Sequence, residues 1–227
     1  MIQSTFSRVV LFLNLGIVGW AILASPVNNL AYHFQEYRLV TFFSAFQLIG
    51  SALVCFFVYD TATLLKANKD IQIFERQSHY VWLLMALGFC FLAFDEVLML
   101  HEALDFYIHQ LYQLQENAWT DRIDDVVVLV YTLIAIYILL KYRKHLLIYH
   151  KIIRVFLNRA FILVFIMIIL DLLTNRQDII SNDKLHQLFS VAEEICKLTA
   201  EAFLLVMFYS CWKQTLLWQI SEHQTSN

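Results

Sequence analysis

The densest chemistry in this chain lies in one octapeptide, Asp95-Glu96-Val97-Leu98-Met99-Leu100-His101-Glu102, with Asp105 three residues further on. Carboxylates and an imidazole at that density can hold a divalent cation, relay protons or pair with other charges. On one continuous helix, Asp95 and Glu102 are seven positions apart and share a face, with His101 and Asp105 beside them within an arc of about 120°, while Glu96 points elsewhere. At about 1.5 Å of rise per residue, the stripe from Asp95 to Glu102 is about 10 Å long. A second group comprises Glu193, Glu194, Lys197 and Glu201. Glu194, Lys197 and Glu201 follow an i, i+3, i+7 pattern on one face, and Glu193 reaches Lys197 at i+4. Asp124, Asp125 and Asp171 complete the set.

Carboxylates this close cannot all stay ionised without compensation, so they share protons, pair with Lys197 or bind a cation. A divalent metal is the most economical expectation, held by Asp95, His101, Glu102 and Glu194, with Glu96, Asp105, Asp125, Asp171 and Lys197 as the wider polar cluster. This ligand mix suits Zn, Mn, Fe or Ca without choosing among them. Glu201 or Glu193 would then act as general base on a metal-bound water, which predicts a hydrolase or transferase acting on a lipid or other amphiphile. Plainer roles exist for some members. Asp124 and Asp125 suit a helix N-terminus, Asp171 could pair with Arg176, and Lys197 could serve a structural ion pair.

The arrangement is similar in kind to that of the polytopic ceramidase and adiponectin-receptor hydrolases, which use several histidines and a serine around zinc; here His101 is the one histidine within a predicted span. Di-iron carboxylate bundles need Glu-x-x-His repeats, and the sequence has none. A second expectation is a proton- or cation-coupled transporter or channel, with Asp95, Glu102, Glu194 and Glu201 graded from surface to mid-membrane. No inverted repeat is visible and the opposite halves of the spans are almost uncharged, so a continuous polar path would need a homo-oligomer. A third is a membrane anchor for a cytoplasmic partner that uses the basic segment 141–159.

These residues sit in a chain of 227 amino acids, 60% hydrophobic and 15% charged, with 4 Gly, 1 Pro and a mean hydropathy of +0.61. A water-soluble domain carries about a quarter charged residues, so the apolar excess must face lipid. A net charge of −3 excludes a nucleic-acid module. Continuous apolar runs predict an all-α, polytopic bundle of six transmembrane helices at 9–24, 39–59, 80–102, 125–140, 155–173 and 189–212, in a single domain over 1–227. The first segment, with Arg8 ahead of an apolar run ending in Ile22-Leu23-Ala24, also has features of a secretory signal, and the expectation is a retained span. Cys55, Cys90, Cys196 and Cys211 form no C-x-x-C pair and read as small apolar residues.

Eleven Lys and Arg residues fall on the side of the N-terminus and four on the other. This predicts an inner or plasma membrane location with both termini cytoplasmic. Segment 141–159 mixes six cations with apolar residues, the composition of a helix lying on anionic membrane lipids. The remaining histidines, His79 and His145 among them, are expected in loops without chemical roles.

Overall fold

The computed structural model describes residues 5–67, 79–113, 123–174 and 182–225, with the side chains of 124, 125 and 222–225 outside that description. Every regular element among them is helical: α1 (Thr5–Ala24), α2 (Leu39–Ala67), α3 (Tyr80–Leu98), α4 (Leu100–Tyr112), α5 (Ile123–Lys141), the single turn α6 (Arg143–Leu146), α7 (His150–Thr174) and α8 (Asp183–Thr225), with 3-10 turns at Tyr32–Phe34 and Leu147–Tyr149. Helix follows from the composition, because a backbone surrounded by apolar side chains must satisfy its own N–H and C=O groups within the segment. Five helices are long and apolar enough to cross a membrane, and Val126–Lys141 of α5 is a shorter apolar helix.

The densest packing joins α8 to α7 and to α2, and α2 to α3. The buried face of α2 explains the α2–α8 contact: Ser44, Leu48, Ser51, Cys55, Val58, Ala62 and Leu65 recur at steps of three and four, and most are small. Small residues let helix backbones approach where lipid provides no hydrophobic drive for association. A methyl group placed on Gly50 would meet Leu205 of α8 at 3.5 Å. The opposite helix faces carry exposed Phe46, Leu53, Phe94, Ile134, Phe165 and Ile169. Exposed apolar faces on every long helix are what a lipid surround requires.

Several helices run past their expected ends, α2 to Ala67 and α7 from His150 among them, and two differences go further. The third apolar run does not continue to residue 102. It ends at Leu98, where Met99 adopts a left-handed conformation (φ 51°), and α4 sets off as a separate helix. The sixth extends far beyond 189–212 as the 43-residue α8.

The connector between α5 and α7 is anchored in the bundle rather than lying wholly on its surface. His145 and Tyr149 are each 2% exposed. Trp82 of α3 donates its indole N–H to His145 Nε2 at 2.9 Å, and the Tyr149 hydroxyl lies 2.8 Å from Thr215 Oγ1 of α8. Trp82 meets both Tyr149 and Phe208 edge-on, and Trp218 packs tilted against Tyr149. The cations Arg143, Lys144, Lys151 and Arg154 remain exposed on this tethered segment. Tyr149→Phe removes one buried hydrogen bond while Thr215 keeps its bond to the Cys211 carbonyl, so a loss of about 1 kcal/mol is expected, measurable as a lower Tm in detergent.

Candidate functional site

The α3–α4 break decides how the acids are distributed. With α3 ending at Leu98, its last turn presents Asp95 and Glu96 to different neighbours. Asp95 reaches across the break: its Oδ1 accepts the His101 backbone N–H at 3.0 Å, and its Oδ2 lies 3.0 Å from His101 Nδ1. The carboxylate thereby satisfies a free N–H in the first turn of α4 and orients the imidazole. Glu102 lies 3.9 Å from His101 Nε2, and Asp105 pairs with His109 at 2.9 Å, one turn along α4. The left-handed backbone at Met99 strains a residue with a Cβ. Met99→Gly is expected to raise stability by up to about 1 kcal/mol, while Met99→Val, β-branched at the same φ, is expected to lower Tm.

Glu96 turns toward α8. Lys197 Nζ donates to Glu96 Oε1 at 2.9 Å and lies 3.0 Å from both oxygens of Glu194. The three side chains form a compact triad, 18–25% exposed. Glu36, in the connection before α2, is near enough for its charge to act on Glu194. One ammonium therefore faces several carboxylates.

Two helical turns beyond Glu194, Glu201 is buried at 7% exposure. Its Oε1 accepts the Ser44 hydroxyl of α2 at 2.8 Å, while its Oε2 has no hydrogen-bond partner among the described residues. The charges of Lys197, Glu96 and Glu194 all act on it. Glu193 instead faces α7, where the Thr174 hydroxyl lies 3.5 Å from its Oε2 and Asp171 is close enough to act on its charge.

The acids thus fall into three sets. Asp95, His101 and Glu102 gather at the α3–α4 break; Glu96, Glu194, Lys197 and Glu201 lie between α3, α8 and α2; Glu193 and Asp171 lie between α7 and α8. Glu96 points away from the Asp95–His101 pair, as expected on one helix turn, and pairs with Lys197. Glu193 does not reach Lys197; Glu194 does, at i+3. Asp95, His101, Glu102 and Glu194 are not drawn around one centre: Glu194 is held by Lys197, and Asp95 by His101. Among the described residues no group of three or more His, Cys, Asp or Glu side chains could hold a metal ion. Asp125 lies in the first turn of α5, its side chain outside the described residues.

Several polar residues near this site were not singled out in the sequence because they carry no charge. Asn14 of α1 donates to the Leu198 carbonyl of α8 at 3.1 Å. Ser44 holds Glu201, and Gln47 and Ser51 continue the same buried face of α2. The signal that could have found them is their spacing of three and four in register with small residues.

Residues 39–211, from the start of α2 to Cys211 within α8, match the family model described as "Domain of unknown function (DUF8692)". No curated protein and no solved structure matches the chain.

Proposed function

The chain belongs to the DUF8692 family, and from its own residues we propose that it is a six-span membrane protein that moves protons or cations through an acid–lysine cluster on the extracytoplasmic side of its bundle. The membrane is the inner or plasma membrane, with both termini cytoplasmic; the eleven-to-four division of Lys and Arg supports this orientation. Helices α1, α2, α3, α5, α7 and α8 then span, while α4 and the α6 connector lie at opposite surfaces.

One observation carries the proposal: Glu201, deep in the bundle, spends one oxygen on Ser44 and leaves the other without a partner among the described residues, one turn from Lys197. An ionisable side chain in that setting is costly and is retained where charge must be handled. The Lys197 triad links it to the surface. Lys197 contacts Glu96 and Glu194, and the charge of Glu201 acts on it one turn away, so an arriving cation or proton would change which carboxylate it pairs with. Metal-dependent hydrolysis has less support, because its four ligands lie in two separately paired sets.

The test is purified protein in sealed vesicles with a pH dye inside and an imposed K+ diffusion potential. Proton or cation entry above that of protein-free vesicles is the expected result. No flux under any gradient of H+, Na+ or K+ would overturn the proposal.

A further inference from the structure

Below Glu201, the interface of α2 with its neighbours holds polar atoms whose needs the described protein does not meet. Gln47 is 4% exposed and Ser51 1%. Neither the Gln47 amide nitrogen and oxygen nor the Ser51 hydroxyl has a hydrogen-bond partner among the described residues. Elsewhere in this chain, helix hydroxyls turn back to the carbonyl four residues earlier, as in Thr61 to Phe57, Thr199 to Ile195, Ser210 to Val206 and Thr215 to Cys211. That local bond is the ordinary way to bury a hydroxyl in an apolar surround. Ser51 forgoes it. Leaving one such group unsatisfied costs about 1–3 kcal/mol, and three on adjacent turns would be retained only with a partner.

The positions are ordered. Ser44, Gln47 and Ser51 lie on one face of α2, and Ser51 is about 10 Å beyond Ser44 along the helix. Contacts of Ser44 with Glu201 and of Gly50 with Leu205 show α2 and α8 descending side by side. The polar face thus begins at Glu201 and continues away from the Lys197 triad until Cys55 and Val58, both fully buried, close it.

We propose that Glu201, Ser44, Gln47 and Ser51 form a water-holding inlet along α2 that carries protons between the acid–lysine cluster and the middle of the bundle, so that the ion handled is H+ and not a metal cation. The choice of ion follows from Gln47. A sodium or calcium ion would satisfy the amide oxygen and leave the buried NH2 stranded, whereas water donates to one and accepts from the other. Hydroxyl, amide and carboxyl groups that both donate and accept suit a hydrogen-bonded relay.

This inference rests on the transport function proposed above, and its test separates the two. Whole protein in sealed vesicles of phosphatidylcholine and phosphatidylglycerol is compared with Gln47→Leu, Ser51→Ala and the amide-retaining Gln47→Asn, with sodium replaced by choline in parallel. Proton entry is expected to fall about tenfold in each apolar variant, the rate equivalent of one lost hydrogen-bond link, to be largely kept in Gln47→Asn, and to ignore the sodium replacement. Undiminished entry in Ser51→Ala, or in a folded Gln47→Leu with a raised Tm, overturns the inlet and leaves transport standing. A flux that requires sodium overturns the choice of ion. A wild type that conducts nothing removes the transport proposal itself.

Discussion

Replacing Glu201 by glutamine is expected to reduce proton entry into vesicles by about 100-fold or more, the scale on which losing a positioned proton-transfer group acts, while the protein still folds. Glutamine keeps the shape and can still accept the Ser44 hydroxyl now bound at 2.8 Å. What it cannot do is gain and lose a proton. The stability cost should be small, because the variant exchanges a buried acid for a neutral amide. Glu201→Asp, shorter by one methylene, keeps the chemistry but loosens the Ser44 contact, so it should conduct at an intermediate rate. A fully active Glu201→Gln would place the conducting group elsewhere. Comparing flux with Tm for the two variants separates a proton-handling residue from a structural one, since a structural role would make both variants fail with their Tm.

Removing Lys197 is expected to have the largest effect on stability. Its ammonium contacts Glu96 at 2.9 Å and both oxygens of Glu194 at 3.0 Å, across three quarters-buried side chains. Lys197→Met preserves the length and apolar packing of the side chain but strands the carboxylates, a cost of about 3 kcal/mol at the lower end of the range for orphaned buried charges. Pairing it with Glu96→Gln and Glu194→Gln removes the stranded charges, and the triple variant should recover most of that loss. Thermal denaturation of the single and triple variants in one detergent checks this. Equal Tm values for wild type and Lys197→Met would mean that the triad contributes no net stability.

Much of the architecture was legible in continuous apolar runs, because length and composition alone decide which segments can bury a helix in lipid. The break at Met99 was not. No Gly, Pro or Asn marks it; Asp95 creates it by accepting the His101 N–H across the turn, a local bond that a periodicity plot does not see. His101, Glu102 and Asp105, beyond the break, therefore belong to a separate helix and not to a stripe along α3, while Glu96, ahead of it, keeps its own face toward Lys197. The Lys197–Glu194 pair was legible because i, i+3 spacing on one helix needs no knowledge of the fold. Ser44, Gln47 and Ser51 carry no charge to mark them, although their spacing in α2 was visible. His145 and Tyr149 were hidden by the cations around them, which describe the exposed side of the connector and say nothing of the side that meets Trp82 and Thr215.

In the proposed transport, Glu201 itself takes up and releases a proton. Infrared difference spectra of the wild type and Glu201→Gln, recorded as pH is varied in H2O and D2O, test it directly. A carboxyl C=O band that changes with pH, shifts in D2O and is missing from Glu201→Gln is expected. Identical pH-dependent spectra for the two proteins would contradict it.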